Sequence, residues 1–121
     1  MYSMQQIGLS LVAVIAALHF YILYLEMFRW DSAGPRVFGM SREQVPHTRV
    51  LAANLGLYNG FLAAGLCWGL SQGDQGVQIQ TFFLGCVAVA GVYAAKRVRK
   101  TLWVQTVPAL MALGCVWWAR I

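Results

Sequence analysis

Long apolar segments alternate with short polar connections along this chain. Four of the segments are long enough to cross about 30 Å of hydrocarbon as helices that rise about 1.5 Å per residue. They cover residues 7–28, 50–70, 79–95 and 102–119. The pattern therefore predicts an all-α fold, a membrane-embedded bundle of four transmembrane helices, with residues 1–121 forming a single domain.

Composition supports a membrane location and argues against a soluble domain. Hydrophobic residues make up 60% of the chain, charged residues make up 11%, and the mean hydropathy is +0.60. The first ten residues contain no lysine or arginine, and the apolar run that follows is longer than the core of a signal peptide. We therefore expect the first segment to be retained as a helix and not cleaved.

The basic residues predict the orientation of the bundle. Eight of nine lie in two connections, Arg29, Arg36, Arg42 and Arg49 in the first and Lys96, Arg97, Arg99 and Lys100 in the second. Positively charged connections stay in the cytoplasm, so both termini are predicted on the outer, periplasmic side of a bacterial inner membrane. The net charge of +5 then reflects topology and attraction of the second connection to anionic lipid headgroups. It gives no reason to expect nucleic-acid binding.

Two ionisable residues, His19 and Glu26, interrupt the first apolar segment. They are seven residues apart, which places them on the same face of a helix. Insertion of such side chains into a bilayer is unfavourable, so their presence indicates a function or a specific partner. Both are predicted to point into the bundle, His19 near the midplane and Glu26 within about one turn of the cytoplasmic surface.

Further polar residues are predicted at the same depth, in the cytoplasmic half or at the midplane, whereas the outer half carries almost none. This asymmetry predicts a cavity that opens toward the cytoplasm or the inner leaflet and binds a small lipophilic or weakly charged ligand. The candidate ligand-binding residues are His19, Glu26, Trp30, Asn54, Tyr58, Asn59 and Gln105. The alternative is structural, because Asn, Gln and His also join transmembrane helices by hydrogen bonds.

Local signals predict several details of the helices. In the second segment, Gly56 and Gly60 belong to a stripe of small residues that allows close helix contact and also permits a homo-oligomer. Ser41 and Gln44 form a predicted capping box, after which Pro46 starts or kinks the second helix. Residues 31–39 are predicted to form an ordered reentry loop. Pro108 is predicted to bend the fourth helix.

Other chemistry has little support in the sequence. His19 is the only histidine within a segment, so no metal or haem ligand set and no cofactor is predicted. The three cysteines lie one per segment without a CxxC pair, which favours packing over redox chemistry. No motif marks a nucleophile and no catalytic residue is assigned. Proton-coupled transport, an isomerase that uses His19 and Glu26, and a structural subunit of a larger complex stay open as alternatives.

The chain resembles a known family over nearly its whole length. The resemblance rests on His19, on Leu25, Glu26, Met27, Phe28 and Trp30, on Val37, Phe38 and Gly39, on residues 51–70 (LAANLGLYNGFLAAGLCWGL), on Phe83 to Cys86, on Val89 to Gly91, and on Val104, Gln105 and Pro108. These are similar to the small bacterial membrane proteins of domain-of-unknown-function family 1304. The resemblance implies a four-span inner-membrane fold and supplies no reaction. At Leu55 the chain departs from the Gln of that family.

Overall fold

A computed structural model describes residues 3–121, and within this range the chain forms helices and turns without a strand. The α-helices are α1 (Met4–Phe28), α2 (Trp30–Val37), α3 (Val45–Ser71), α4 (Val77–Ala94) and α5 (Val107–Trp118). A short 3-10 turn, Gly73–Gly76, joins α3 to α4, and a π-helical turn, Leu102–Thr106, leads directly into α5. The predicted all-α class is thus confirmed within the described range.

Three helical stretches are long and apolar enough to cross a membrane: Met4–Phe28, Val45–Ser71 and Gly73–Ala94. The stretch Leu102–Trp118 is apolar but shorter. α3, which corresponds to the second predicted segment, begins at Val45, five residues before the predicted start at residue 50. Pro46 lies in its first turn, where a missing N–H costs nothing because no intrahelical acceptor exists there.

The four long helical elements pack in a ring. α1 packs against α3 and α5, and α4 packs against the same two helices on the other side. We call the end of the ring that carries the connections 29–44 and 95–101 the basic end. The opposite end, with the α3–α4 turn, the start of α1 and the C-terminus, is the turn end. A core of Val12, Leu66, Leu84, Val87 and Ala112, all fully buried, fills the space between the two ends.

Glycines on α3 set how closely it approaches α1. A Cβ atom at Gly56 would lie 2.6 Å from Met27 Cγ and 3.2 Å from Glu26 Cβ, and one at Gly60 would lie 2.6 Å from Leu23 Cδ1. Side chains at these positions would push the helices apart. At these two glycines, the predicted stripe of small residues is therefore already in contact with α1 of the same chain.

The prediction of a reentry loop at residues 31–39 was wrong, because Trp30–Val37 is an eight-residue helix. Pro35 removes one backbone bond from it, but tertiary packing compensates, since Trp30 is buried in a cluster with Val45 and Ala52 of α3. The chain turns only at Gly39, whose φ of 68° lies in the left-handed region that favours glycine.

The reciprocal hydrogen bonds of the predicted capping box are present, but they lie in the turn before α3, whose own N-cap residue, Gln44, has no side-chain cap. Ser41 N–H donates to Gln44 Oε1 at 3.2 Å, and Gln44 N–H donates to Ser41 Oγ at 3.3 Å. These bonds close the turn that precedes α3. A second capping box, between Ser3 and Gln6, starts α1 and was not predicted.

The bend predicted at Pro108 takes the form of the π-helical turn that ends at Thr106. Proline lacks an N–H and cannot bond the carbonyl of Val104, so the preceding turn widens. Thr106 Oγ1 donates to the carbonyl of Ala88 at 2.9 Å and ties the wide turn to α4. The fourth element is thus a π-helical turn followed by an α-helix of twelve residues.

Candidate ligand cavity at the basic end

A cavity of about 540 Å³ lies at the basic end of the ring. Its walls come from α1, α3, α4, the π-helical turn and parts of both basic connections. The lining is mostly aliphatic and aromatic, and its polar members are Glu26, Asn59, Gln105, Lys100, Thr101, Tyr21 and Tyr58. An apolar cavity of this size with a few converging polar groups is typical of a small-molecule site.

α3 and α4 pack closely at the turn end, and both contribute residues to the cavity wall at the basic end. At the turn end a Cβ at Gly69 would lie 2.7 Å from Gln80 Cγ, and the ring of Phe83 lies directly against Gly65. At the basic end α4 presents the small residues Ala90 and Ala94 to the cavity. Small side chains on this wall leave space that larger ones would fill.

Glu26 and Asn59 form one polar pair on the cavity wall. Asn59 Nδ2 donates to Glu26 Oε1 at 2.7 Å and also to the carbonyl of Leu55 at 3.2 Å. The partner of the carboxyl group is thus a neutral amide. The second carboxyl oxygen has no donor among the described residues, so it is free to accept a hydrogen bond from a ligand.

His19 and Gln105 form a second polar pair, deeper in the ring. His19 Nδ1 lies 2.8 Å from the carbonyl oxygen of Ile15, which can only accept, so Nδ1 carries the hydrogen. Gln105 Nε2 lies 3.2 Å from His19 Nε2. A neutral imidazole with its hydrogen on Nδ1 satisfies both contacts, since Nε2 then accepts from the Gln105 amide. Gln105 lines the cavity, whereas the fully buried His19 supports it from behind.

The structure separates the other predicted site residues. Tyr58 lines the cavity, although its side chain is 57% exposed. Asn54 is exposed on a different surface groove beside Met27 and His47. Trp30, the first residue of α2, is buried, and its indole N–H donates to Thr48 Oγ1 at 3.0 Å. Asn54 and Trp30 thus lie outside the cavity, and the contacts of Trp30 are those of a structural anchor.

Gln80 is a buried polar residue that the sequence analysis missed. It lies at the turn end with a side chain 1% exposed, donates through Nε2 to the carbonyl of Gly69 at 3.3 Å, and leaves Oε1 without a partner among residues 3–121. The prediction that buried polar residues lie almost entirely in the half of the bundle at the basic end therefore holds only in part, because Gln80 is buried at the turn end. The signal was available, since Gln80 is the second residue of a predicted apolar segment.

Three helices with the length and hydropathy of membrane spans, packed around a cavity with paired polar side chains, are typical of small helical-bundle membrane proteins. The chain belongs to the family described as "Protein of unknown function (DUF1304)", which matches residues 13–117. The resemblance found in the sequence is thereby confirmed.

One curated relative is the uncharacterized protein YpaA of Lactococcus lactis subsp. lactis (strain IL1403). The two chains are 29% identical over 92 residues, which cover 74% of this chain and 77% of the relative. No solved structure matches the chain.

Proposed function

We propose that the protein is a four-span protein of the bacterial inner membrane with both termini outside. Two observations support this arrangement. The apolar stretch Leu102–Trp118 completes the ring with the three longer helices, and eight basic residues lie at the basic end against Arg120 at the other. By the positive-inside rule, that charge difference supports a cytoplasmic location for the basic end.

Single cysteines introduced at the two ends test this topology. We expect Arg97→Cys, in a background without Cys67, Cys86 and Cys115, to react with a membrane-impermeant maleimide only in inside-out vesicles. Asp74→Cys, at the α3–α4 turn, is expected to react in intact spheroplasts. The reverse pattern would overturn the proposed orientation, and labelling of both sites from one side would overturn the span count.

We propose that the cavity at the basic end binds a small lipophilic ligand that carries at least one hydrogen-bond donor. The single observation that carries this proposal is the placement of Glu26, Asn59 and Gln105 around one otherwise apolar space of about 540 Å³. Here the pairs leave a carboxyl oxygen of Glu26 and the carbonyl oxygen of Gln105 without donors among the described residues.

Filling the cavity tests the proposal. Ala94 lines it, so we expect Ala94→Phe to occupy the ligand's space and abolish binding of dansyl-aminoundecanol, measured by fluorescence in phosphatidylcholine nanodiscs. Ala64→Phe adds the same ring to an exposed position of α3 and serves as the matched control. Undiminished binding by a folded Ala94→Phe variant would show that the probe binds elsewhere and would reject the proposal.

A further inference from the structure

A second depression, of about 490 Å³, adjoins the cavity at the basic end. Its lining includes Arg97, Arg99 and Lys100 and contains no acidic residue. It shares Val37, Phe38, Val98 and Lys100 with the cavity wall. The apolar space and the cationic depression are therefore two parts of one continuous surface, joined at residues 37–38 of the first connection and at Val98 and Lys100 of the second.

The cations of this depression have no carboxylate partner in the part of the chain that the structure describes. Among residues 3–121 the recorded ion pair joins Arg49 to Asp31, between α2 and α3, and involves none of them. Lys100 Nζ donates at 2.7 Å to the carbonyl oxygen of Val37, a neutral acceptor that an anion can replace. The neighbouring Lys96 is directed elsewhere, with its Nζ 4.8 Å from the centre of the Tyr93 ring.

Arginine and lysine at this spacing suit a specific headgroup chemistry. The guanidinium group presents paired donors that match a carboxylate or a phosphate, and lysine adds a positive charge. Positive charge with no compensating acid beside an apolar cavity complements a molecule that is anionic at one end and apolar along the rest. Attraction of bulk lipid headgroups to a basic loop would not require the adjoining cavity.

We infer that the ligand is a single-chain amphiphile with an anionic headgroup. The carboxylate or phosphate lies on Arg97, Arg99 and Lys100, and the apolar chain extends into the cavity. A hydroxyl or amine along the chain satisfies Glu26. The inference rests on the proposed cavity function and adds to it the charge and shape of the ligand.

The test compares dansyl-aminoundecanoic acid with its uncharged methyl ester in phosphatidylcholine nanodiscs. The double variant Arg97→Gln, Arg99→Gln removes two charges from the depression. The matched control Arg36→Gln, Arg42→Gln removes two charges from exposed positions of the first connection. We expect the first double variant to weaken binding of the acid about tenfold or more and to leave the ester unchanged, and we expect the control to leave both unchanged.

Equal effects on acid and ester, or equal effects of the two double variants on the acid, would overturn the headgroup assignment while the cavity proposal stands. Binding of neither probe to the wild-type protein would overturn both. Displacement of the dansyl acid by lauric acid or by lauroyl lysophosphatidic acid then separates the two headgroups, since the tighter competitor identifies the anion that the depression prefers. Displacement by neither would also count against the inference.

Discussion

Gly91→Ala is expected to lower the free energy of unfolding by about 1–3 kcal/mol, the usual cost of overpacking an interior contact. A Cβ at Gly91 would lie 2.9 Å from the backbone nitrogen of Thr106 and 3.0 Å from Gln105 Cβ, and it would overlap Thr106 Oγ1. Rotating a flexible side chain cannot relieve a clash with backbone. The π-helical turn must therefore move away from α4, which also stretches the Thr106 hydroxyl bond to Ala88.

The matched control lies on the same helix. A Cβ at Gly85 meets nothing within 4 Å, so Gly85→Ala adds a methyl group in open space. Alanine is favoured over glycine in a helix by about 0.5–1 kcal/mol, and we expect this control to be neutral or stabilising. Both variants are measured by unfolding titration in detergent micelles. Equal stability of the two would mean that the π-helical turn does not pack on Gly91 as described.

Features within one segment could be predicted from the sequence. The lengths of the apolar segments predicted the long helices. Ser41 and Gln44 predicted their reciprocal hydrogen bonds, and Pro46 predicted the start of α3. Each depends on residues close together in the chain. The helix of residues 30–37 was not predicted, because Gly34 and Pro35 favour a turn. Only the packing of Trp30 against α3 overrides that local preference.

The site was predicted in part, because helix rotation depends on contacts between distant segments. At about 100° per residue, Asn59 lies roughly 80° from the middle of the Gly56–Gly60 face and Asn54 roughly 140° from it. Since those glycines face α1, Asn59 reaches Glu26 and Asn54 turns away. The sequence identified both the glycine stripe and the asparagines, but it did not show that the glycine stripe would face the first helix.

The contact between His19 and Gln105 shows the same limit. The two residues are 86 positions apart, and the Gln105 side chain is presented by a π-helical turn. Pro108 signalled a distortion of the helix, yet the direction of the distortion follows from the space that Gly91 leaves on α4. No pattern within one segment contains that information.

Glu26→Gln is expected to abolish the preference of the cavity for a hydroxyl group. In the wild-type protein one carboxyl oxygen accepts from Asn59 and the other is free to accept from a ligand. Glutamine keeps the shape and one acceptor, which Asn59 uses, and it presents an NH₂ group where the ligand needs an acceptor. A ligand hydroxyl can only accept from that NH₂ group, as the oxygen of an ether also can, so the advantage of the hydroxyl as a donor is lost.

Competition with dansyl-aminoundecanol measures this loss directly. We expect dodecanol to displace the probe from the wild-type protein about tenfold more effectively than dodecyl methyl ether, which has no donor, because one hydrogen bond contributes about 1–1.5 kcal/mol. In Glu26→Gln the two competitors should become equal. Asn54→Ala, on the surface groove beside Met27, should keep the wild-type preference. Of these two residues, Glu26 lines the cavity and Asn54 lines the surface groove. If Asn54→Ala removed the preference and Glu26→Gln kept it, the hydroxyl would therefore bind on the surface groove and not in the cavity.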